Sequence, residues 1–512
     1  MTTLKGMVAA GHPATAEAAA EILHAGGNAF DAVVAAHFAA CLAEPVLCSL
    51  AGGGFLLAAP RGGPVRAWDF FVHTPRRKRP ADEIDFHPIH ADFGTARQEF
   101  HIGLGAAATP GAIPGLLAIH RDLGRLPLRE LIVPAVALGR EGILLNAFQA
   151  GIFRIVAPIY LATPESRAIY ADPQDSGQVI GAGQRLRQRE QADFLEALAR
   201  EGERLYREEI AASVESLCRE GGGHLRRDDL RHYSVAVRAP LSLPYRDARL
   251  FLTPPPSTGG LLVAFGLQLL ASLERHTLRA DAGWLPALAR TLALTAEARQ
   301  PMENPALAES LLPLLGADRL ERWRRRLHGA LARRGTTHIS VIDAEGNRAS
   351  LTTSNGEGCG HLIPGTGIML NNMLGEADIN PAGFHRWPTG TRMISMMTPA
   401  LLELADGTAI ALGSGGSNRI RSAMLEVISR LVDQNRPLHS AITAPRLHVE
   451  GRHLDLETGF DPKTRDRLLA EFPDHTLWPE PNLFFGGVHA VLHREGEFAG
   501  AGDPRRGGAT SE

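Results

Sequence analysis

Gly335-Thr336-Thr337-His338-Ile339-Ser340-Val341-Ile342-Asp343-Ala344-Glu345-Gly346-Asn347-Arg348-Ala349-Ser350-Leu351-Thr352-Thr353-Ser354-Asn355-Gly356 holds two β-branched runs, 336–343 and 348–354, around an Ala-Glu-Gly-Asn break. β-Branched side chains suit a pleated, half-buried surface, and Gly/Asn lets the chain reverse, so the stretch predicts a β-hairpin. Two threonines opening a strand are ordinary in themselves. Their meaning comes from what surrounds them.

Downstream, 399–403 and 409–412 read as strands around the Asp406-Gly407 turn, and 417–432 as a helix entered through Gly415-Gly416. Late strands fall near 454–456 and 488–492. Upstream, 13–27 reads as a helix with Thr15 as cap candidate and Gly26-Gly27 as stop. A second helix, 30–44, ends at Pro45. Gly52-Gly53-Gly54 permits close backbone approach before a strand at 55–59, which pairs with 65–71 over Pro60-Arg61-Gly62-Gly63-Pro64. Residues 76–105 read as irregular. Within them, His87-Pro88-Ile89-His90 invites a metal reading, but Pro88 opposes the helix that would align both histidines, so an ordinary loop is expected. Helices follow at 111–123, 127–141, 191–201 and 204–220, strands at 233–239 and 250–253, and helices at 260–274, 282–299 and 318–333. The last carries Arg319, Arg322, Arg324, Arg325, Arg326 and Arg333. It reads as a solvated segment leading into the hairpin rather than as an anion or nucleic-acid patch. Periodicity alone gives an α/β protein with mixed sheets.

The chain has 512 residues, 44% of them apolar and 21% charged, which specifies a packed protein rather than a disordered one. A net charge of -3 gives no electrostatic case for a nucleic-acid or membrane partner. Cys41, Cys48, Cys218 and Cys359 lack CxxC spacing and support neither a disulfide framework nor a thiolate zinc site. The apolar run 29–51 is broken by Asp31, His37, Glu44 and Pro45, so it reads as a buried helix and loop, not a span.

Several strings together carry a resemblance. Thr336-Thr337-His338, Pro364-Gly365-Thr366-Gly367-Ile368, Leu370-Asn371-Asn372, Gly413-Ser414-Gly415-Gly416-Ser417 and Gly502-Asp503-Pro504-Arg505-Arg506 resemble the small-subunit signature of the γ-glutamyltransferase family. Gly11-His12-Pro13, Ala25-Gly26-Gly27-Asn28-Ala29-Phe30-Asp31-Ala32, Gly52-Gly53-Gly54-Phe55 and Pro254-Pro255-Pro256-Ser257-Thr258-Gly259-Gly260 are similar to its large subunit. They occur in the family's order along nearly the whole chain. Many relatives are exported, whereas Met1-Thr2-Thr3-Leu4-Lys5 runs straight into the first motif without a signal peptide. A cytoplasmic protein is therefore expected.

The resemblance implies a four-layered αββα sandwich of the N-terminal-nucleophile hydrolases, built from both halves of one precursor, with 1–335 large-subunit-like and 336–512 small-subunit-like. It implies self-cleavage, the Thr336 hydroxyl attacking the Gly335 carbonyl to free a new N-terminus. An exposed arginine-rich connector just before that point suits a bond that must be cut. An α-amino group has a pKa of about 7.7–8.0, so the freed Thr336 supplies nucleophile and base together. Ser354 takes the place of the hydroxyl residue bonded to the nucleophile, Asn355 that of the following asparagine, in uncertain register. Gly415-Gly416 resembles the pair whose backbone amides form the oxyanion hole. No cofactor and no metal are implied.

Substrate recognition departs from the family pattern. The arginine that holds a γ-glutamyl α-carboxylate corresponds to Phe71, which cannot donate to a carboxylate. The paired serines correspond to Ser395 and Met396, and the amino-side glutamine and aspartate to Met373 and Glu376. The lid-bearing stretch between Asn372 and Arg392 is short. Arg76, Arg77 and Arg392 are candidates for a replacement cation. The expected protein is a self-processing amidohydrolase or acyltransferase taking a small-molecule amide or γ-glutamyl substrate, with water or an amine as acceptor. An amidase for another acyl group, glutaryl or oxamate-like, is the alternative within the class. A non-catalytic binding module is the alternative outside it. Its partners are the large and small fragments of the same precursor, with a dimer of these left open.

Overall fold

The computed structural model describes residues 4–92, 97–302 and 336–512. Two antiparallel sheets are built from thirteen strands: β1 (Gly6–Ala10), β2 (Gly53–Ala59), β3 (Arg66–Asp69), β4 (Ala236–Arg238), β5 (Leu241–Tyr245), β6 (Ala248–Leu252), β7 (Thr337–Asp343), β8 (Arg348–Ser354), β9 (Ala400–Glu403), β10 (Ala409–Gly415), β11 (Gly487–Arg494), β12 (Glu497–Ala501) and β13 (Ala509–Ser511). The first sheet runs β4-β3-β2-β8-β7-β1-β13 and the second β5-β6-β9-β10-β11-β12. Helices α1 (Pro13–His24), α2 (Ala29–Ala43) and α3 (Ala112–Leu123) cover the first sheet; α4 (Thr258–Ala271) and α6 (Arg419–Val432) cover the second, with α5 (Asp281–Met302) packed on α4. This is the αββα layering. Both sheets draw strands from either side of the 335/336 junction.

The predicted hairpin is β7–β8, with Thr337 opposite Thr353 and Ile342 opposite Arg348. Side chains alternate across a strand. Ile339 and Val341 therefore enter the core shared with α2, while Ile342 meets Phe251, Leu401, Ala411 and Val491 between the sheets. The hairpin's inner face is polar at its other end. His338 lies between Thr352 Oγ1 and Ser340 Oγ, each at 2.8 Å, and Ser350 Oγ donates to Leu412 O at 2.9 Å. Burial pushes His338 well below the usual histidine range and His489 down to about 4, so both imidazoles are neutral.

α2 is buried on every side, as its all-round apolar sequence requires. Asn28 caps it, accepting from Phe30 and Asp31 N–H while Asp31 accepts from Asn28 N–H. α1 is capped by His12, which accepts from Ala14 N–H, not by Thr15. The Thr15 hydroxyl turns inward to Glu44 instead. The stretch read as irregular contains an antiparallel pair, His87–Asp92 with Arg97–Ile102. Pro88 is tolerated there because a two-stranded ribbon leaves one edge of each strand unpaired. Three short helices between Ala147 and Tyr170 and the strand β5 escaped the sequence reading. The arginine-rich 318–333 segment and Gly335 lie outside the described residues. No described helix is long and apolar enough to cross a membrane.

Candidate active site

Thr336 immediately precedes β7 and is buried. It lines a small cavity of ≈ 30 Å³ with Ser354, from the end of β8, and Phe71, Met373, Glu376, Ile379, Ser395, Met396, Met397, Ser417 and Ile420. Adjacent antiparallel strands bring Thr336 and Ser354 to the same face and the same end of the sheet.

The Thr336 backbone is held from two sides. Arg506 Nη1 donates to its carbonyl oxygen at 3.2 Å. Gly415, ending β10, packs so closely that a Cβ there would overlap the same oxygen. On the helix side Thr337 Oγ1 donates to Glu44 Oε2 at 2.7 Å, and Thr15 Oγ1 donates to Glu44 Oε1 at 2.9 Å. Burial pushes the Glu44 carboxyl up to about 7, against the opposing pull of those hydroxyls and of Arg506. Burial likewise brings Arg506 down to about 10, with Asp503, Glu44 and Glu357 acting the other way.

The walls are fixed by the neighbouring turns. Phe71 stacks on Phe55, ring centroids 5.7 Å apart. The Pro254–Gly260 turn pins the segment carrying Ser395 and Met396. Ser257 Oγ donates to Met397 O at 2.7 Å, and Thr258 N–H donates to Ser395 O at 2.8 Å. Ser417 Oγ donates to Asp378 Oδ2 at 3.0 Å. Three of the eleven lining side chains are methionines, whose unbranched chains re-pack easily around a guest.

Of the sequence candidates, Thr336, Ser354, Phe71, Met373, Glu376 and Ser395 share this cavity. Gly415 touches Thr336 from behind. Gly416 follows with φ 124°, a conformation that a β-branched residue resists. Asn355 is fully buried beside Gly358 and does not line the cavity. Arg392 does not line it either. Its Nε pairs with Asp69 at 3.2 Å, and its guanidinium donates to the Ser234 carbonyl, the Phe71 carbonyl and the Tyr233 hydroxyl. Arg76 and Arg77 open onto a separate cleft. Among the described residues, no arginine or lysine lines the Thr336 cavity.

Sequence reasoning missed Glu44, Arg506, Ile379, Met397, Ser417 and Ile420. Arg506 and Ser417 lie in two of the family-like motifs, but nothing in either string assigns them to Thr336. Also missed was the gathering of His37, Cys41 and Cys48. Helical spacing stacks His37 beside Cys41, and the turn after α2 brings the Cys48 sulfur to 3.3 Å from that of Cys41. All three are buried, and burial pushes the Cys48 thiol well above its usual range.

Two facing antiparallel sheets between helical layers are the fold of the N-terminal-nucleophile hydrolases. The chain belongs to the gamma-glutamyltranspeptidase family, whose model matches residues 15–512, and is thus an amidohydrolase. It is 31% identical to the acylase ACY 1 proenzyme of Pseudomonas sp. (strain V22), over 98% of this chain and 92% of that one. It is 28% identical to the glutathione hydrolase proenzyme of Escherichia coli (strain K12), over 98% and 90% respectively. The structure superposes on cephalosporin acylase from Bacillus halodurans with a TM-score of 0.85 at 22% identity, covering 99% of this chain and 96% of that one.

Proposed function

We propose that the chain is a self-cleaving acylase that uses Thr336 as N-terminal nucleophile and takes an acyl group without a free α-carboxylate. The observation that carries the substrate reading is the cavity wall. Phe71, Met396 and Met373 present apolar surface, and no described cation faces them. A carboxylate buried there without a partner would cost several kcal/mol. The resemblance to two proteins named acylases supports the same reading. In the reaction, the freed Thr336 amine takes the hydroxyl proton and the oxygen attacks the amide carbonyl. Gly415-Gly416 N–H groups steady the oxyanion, and the proton passes to the departing amine. Water, or a second amine, then releases the acyl group from the Thr336 ester. Ser354 orients the hydroxyl.

The test is a denaturing gel and intact mass of the purified protein, followed by hydrolysis of matched pentanoyl and γ-glutamyl anilides, which share chain length but differ in the distal carboxylate and amine. Fragments 1–335 and 336–512, with Thr336→Ala remaining whole and inactive, are expected. A smaller fragment starting elsewhere would falsify the assignment of Thr336, and preference for the γ-glutamyl anilide overturns the substrate reading.

A further inference from the structure

Separate from the cavity at Thr336 is a polar cleft of ≈ 820 Å³, a volume ordinary for a small-ligand site. One wall is the basic run Arg76-Arg77-Lys78-Arg79; the other carries His224, Arg226, Arg227, Asp228 and Asp229. Its acids are largely spoken for. Glu83 pairs with Arg79 at 3.1 Å and Glu215 with Arg219 at 2.8 Å. Asp229 accepts the backbone N–H groups of Arg76 and Arg226, both at 2.7 Å. Only Asp228 remains as an unengaged acid. Arg227 is paired with Glu208 at 2.8 Å. Among the described residues, Arg76, Arg77, Lys78 and Arg226 form no close ion pair, although the Asp229 carboxylate feels the charges of Arg76 and Arg226. Lys78 donates to His385 O at 2.8 Å and lies over the Trp387 ring; Arg226 donates to the backbone carbonyls of Gly223, His224 and Leu225.

The cleft is also braced. Besides the Asp229 bond, Arg79 N–H donates to His224 Nδ1 at 3.0 Å, and Arg79 Nη1 donates to the carbonyls of Cys218 and Arg219. The basic run is thereby riveted to the facing wall, so its charges converge on a fixed space instead of waving in solvent. Seven cations against four acids leave the cleft with a surplus of positive charge, and the repulsion among like charges held together is relieved by an anion between them. Arginine forks favour oxyanions of planar or tetrahedral form, and several cations around one cleft favour a ligand with more than one.

We propose that this cleft binds a small polyanion, a molecule carrying two or more phosphate or carboxylate groups. The site is independent of the chemistry at Thr336. Calorimetric titration of the whole protein with inorganic triphosphate and, separately, with tetraglutamate identifies the source of the charge. At least one binds with a submillimolar Kd that weakens steeply with added salt. Arg76→Gln/Arg77→Gln weakens it roughly tenfold or more, and so does Arg226→Gln from the opposite wall, whereas hydrolysis of a neutral anilide is unchanged. Arg129→Gln, an exposed change elsewhere, leaves binding intact. Failure of both probes to bind below a millimolar, or equal binding by the variants, overturns the proposal.

Discussion

Arg506 Nη1 rests 3.2 Å from the carbonyl oxygen of Thr336, placing a buried positive charge against the residue proposed to supply both nucleophile and base. A cation beside an amine disfavours its protonation. With Thr336 freed as proposed, Arg506 would keep its α-amine neutral at a lower pH than it would otherwise be.

The acid limb of the kcat/KM profile follows from this. Arg506→Gln moves it up by about one pH unit, so activity near pH 6 falls most and recovers in alkali. Arg506→Lys, which keeps the charge, moves it less. An unshifted limb in a processed Arg506→Gln enzyme removes the electrostatic role.

Glu44 makes stability depend on pH. Its folded-state carboxyl titrates at about 7 against an ordinary value of 4.5. The native state thus holds that proton more tightly than the unfolded chain. The contribution is complete below pH 4.5 and is lost as the pH climbs through 7, amounting to about 3 kcal/mol at most. Glutamine keeps the bonds to Thr337 and Thr15 but cannot ionise. In an uncleaved Thr336→Ala background, urea unfolding at pH 5 and pH 8 shows a smaller difference for Glu44→Gln. Glu426, also raised to about 7 by burial, leaves a residual slope of the same sign. An identical difference in both proteins excludes Glu44 as the source.

Gly415→Ala drives a methyl group into the Thr336 carbonyl oxygen. Displacing a reacting residue by about 1 Å costs roughly a hundredfold in rate. The cleavage half-time lengthens and turnover slows by about that factor, and the melting temperature falls as well, because the atoms displaced belong to buried backbone. Normal processing in this variant means that the contact is slack.

Phe71→Arg narrows the preference for pentanoyl over γ-glutamyl anilide, measured as the ratio of kcat/KM values. One new charge-assisted hydrogen bond contributes about 1.5–3 kcal/mol, but Met396 and Met373 still withhold the other donors, so the gain stays near the lower end. The variant is also less stable without ligand, since the arginine would sit unpaired against Phe55. A ratio equal to that of the wild type places substrate recognition elsewhere.

The hairpin, the helix caps at Gly and Pro and the long strands were legible because each is a local property: side-chain branching, period and turn chemistry. The shared cavity of Thr336, Ser354, Phe71 and Glu376 was legible only through ordered motifs, since those residues are scattered over most of the chain. Glu44 and Arg506 were not legible. A glutamate before a proline reads as a helix end, and it becomes a partner of Thr337 only once α2 is laid on β7. Arg76 and Arg77 were read as substitutes for the missing clamp because sequence proximity to Phe71 suggested it. The chain leaves the cavity after Phe71, and Arg76 N–H is tied to Asp229 on the wall of the separate cleft.

The weaving of strands has a last consequence. β7 is laced to β1 on one edge and to β8 on the other, β8 to β2, and β6 to β9. A cut at the 335–336 bond would leave every one of these ladders in place. The resulting heterodimer would have no interface in the usual sense, because neither piece owns a core to retreat into. Dilution would not dissociate it, specific activity would be independent of enzyme concentration, and mixing two differently tagged preparations would exchange no fragments short of unfolding.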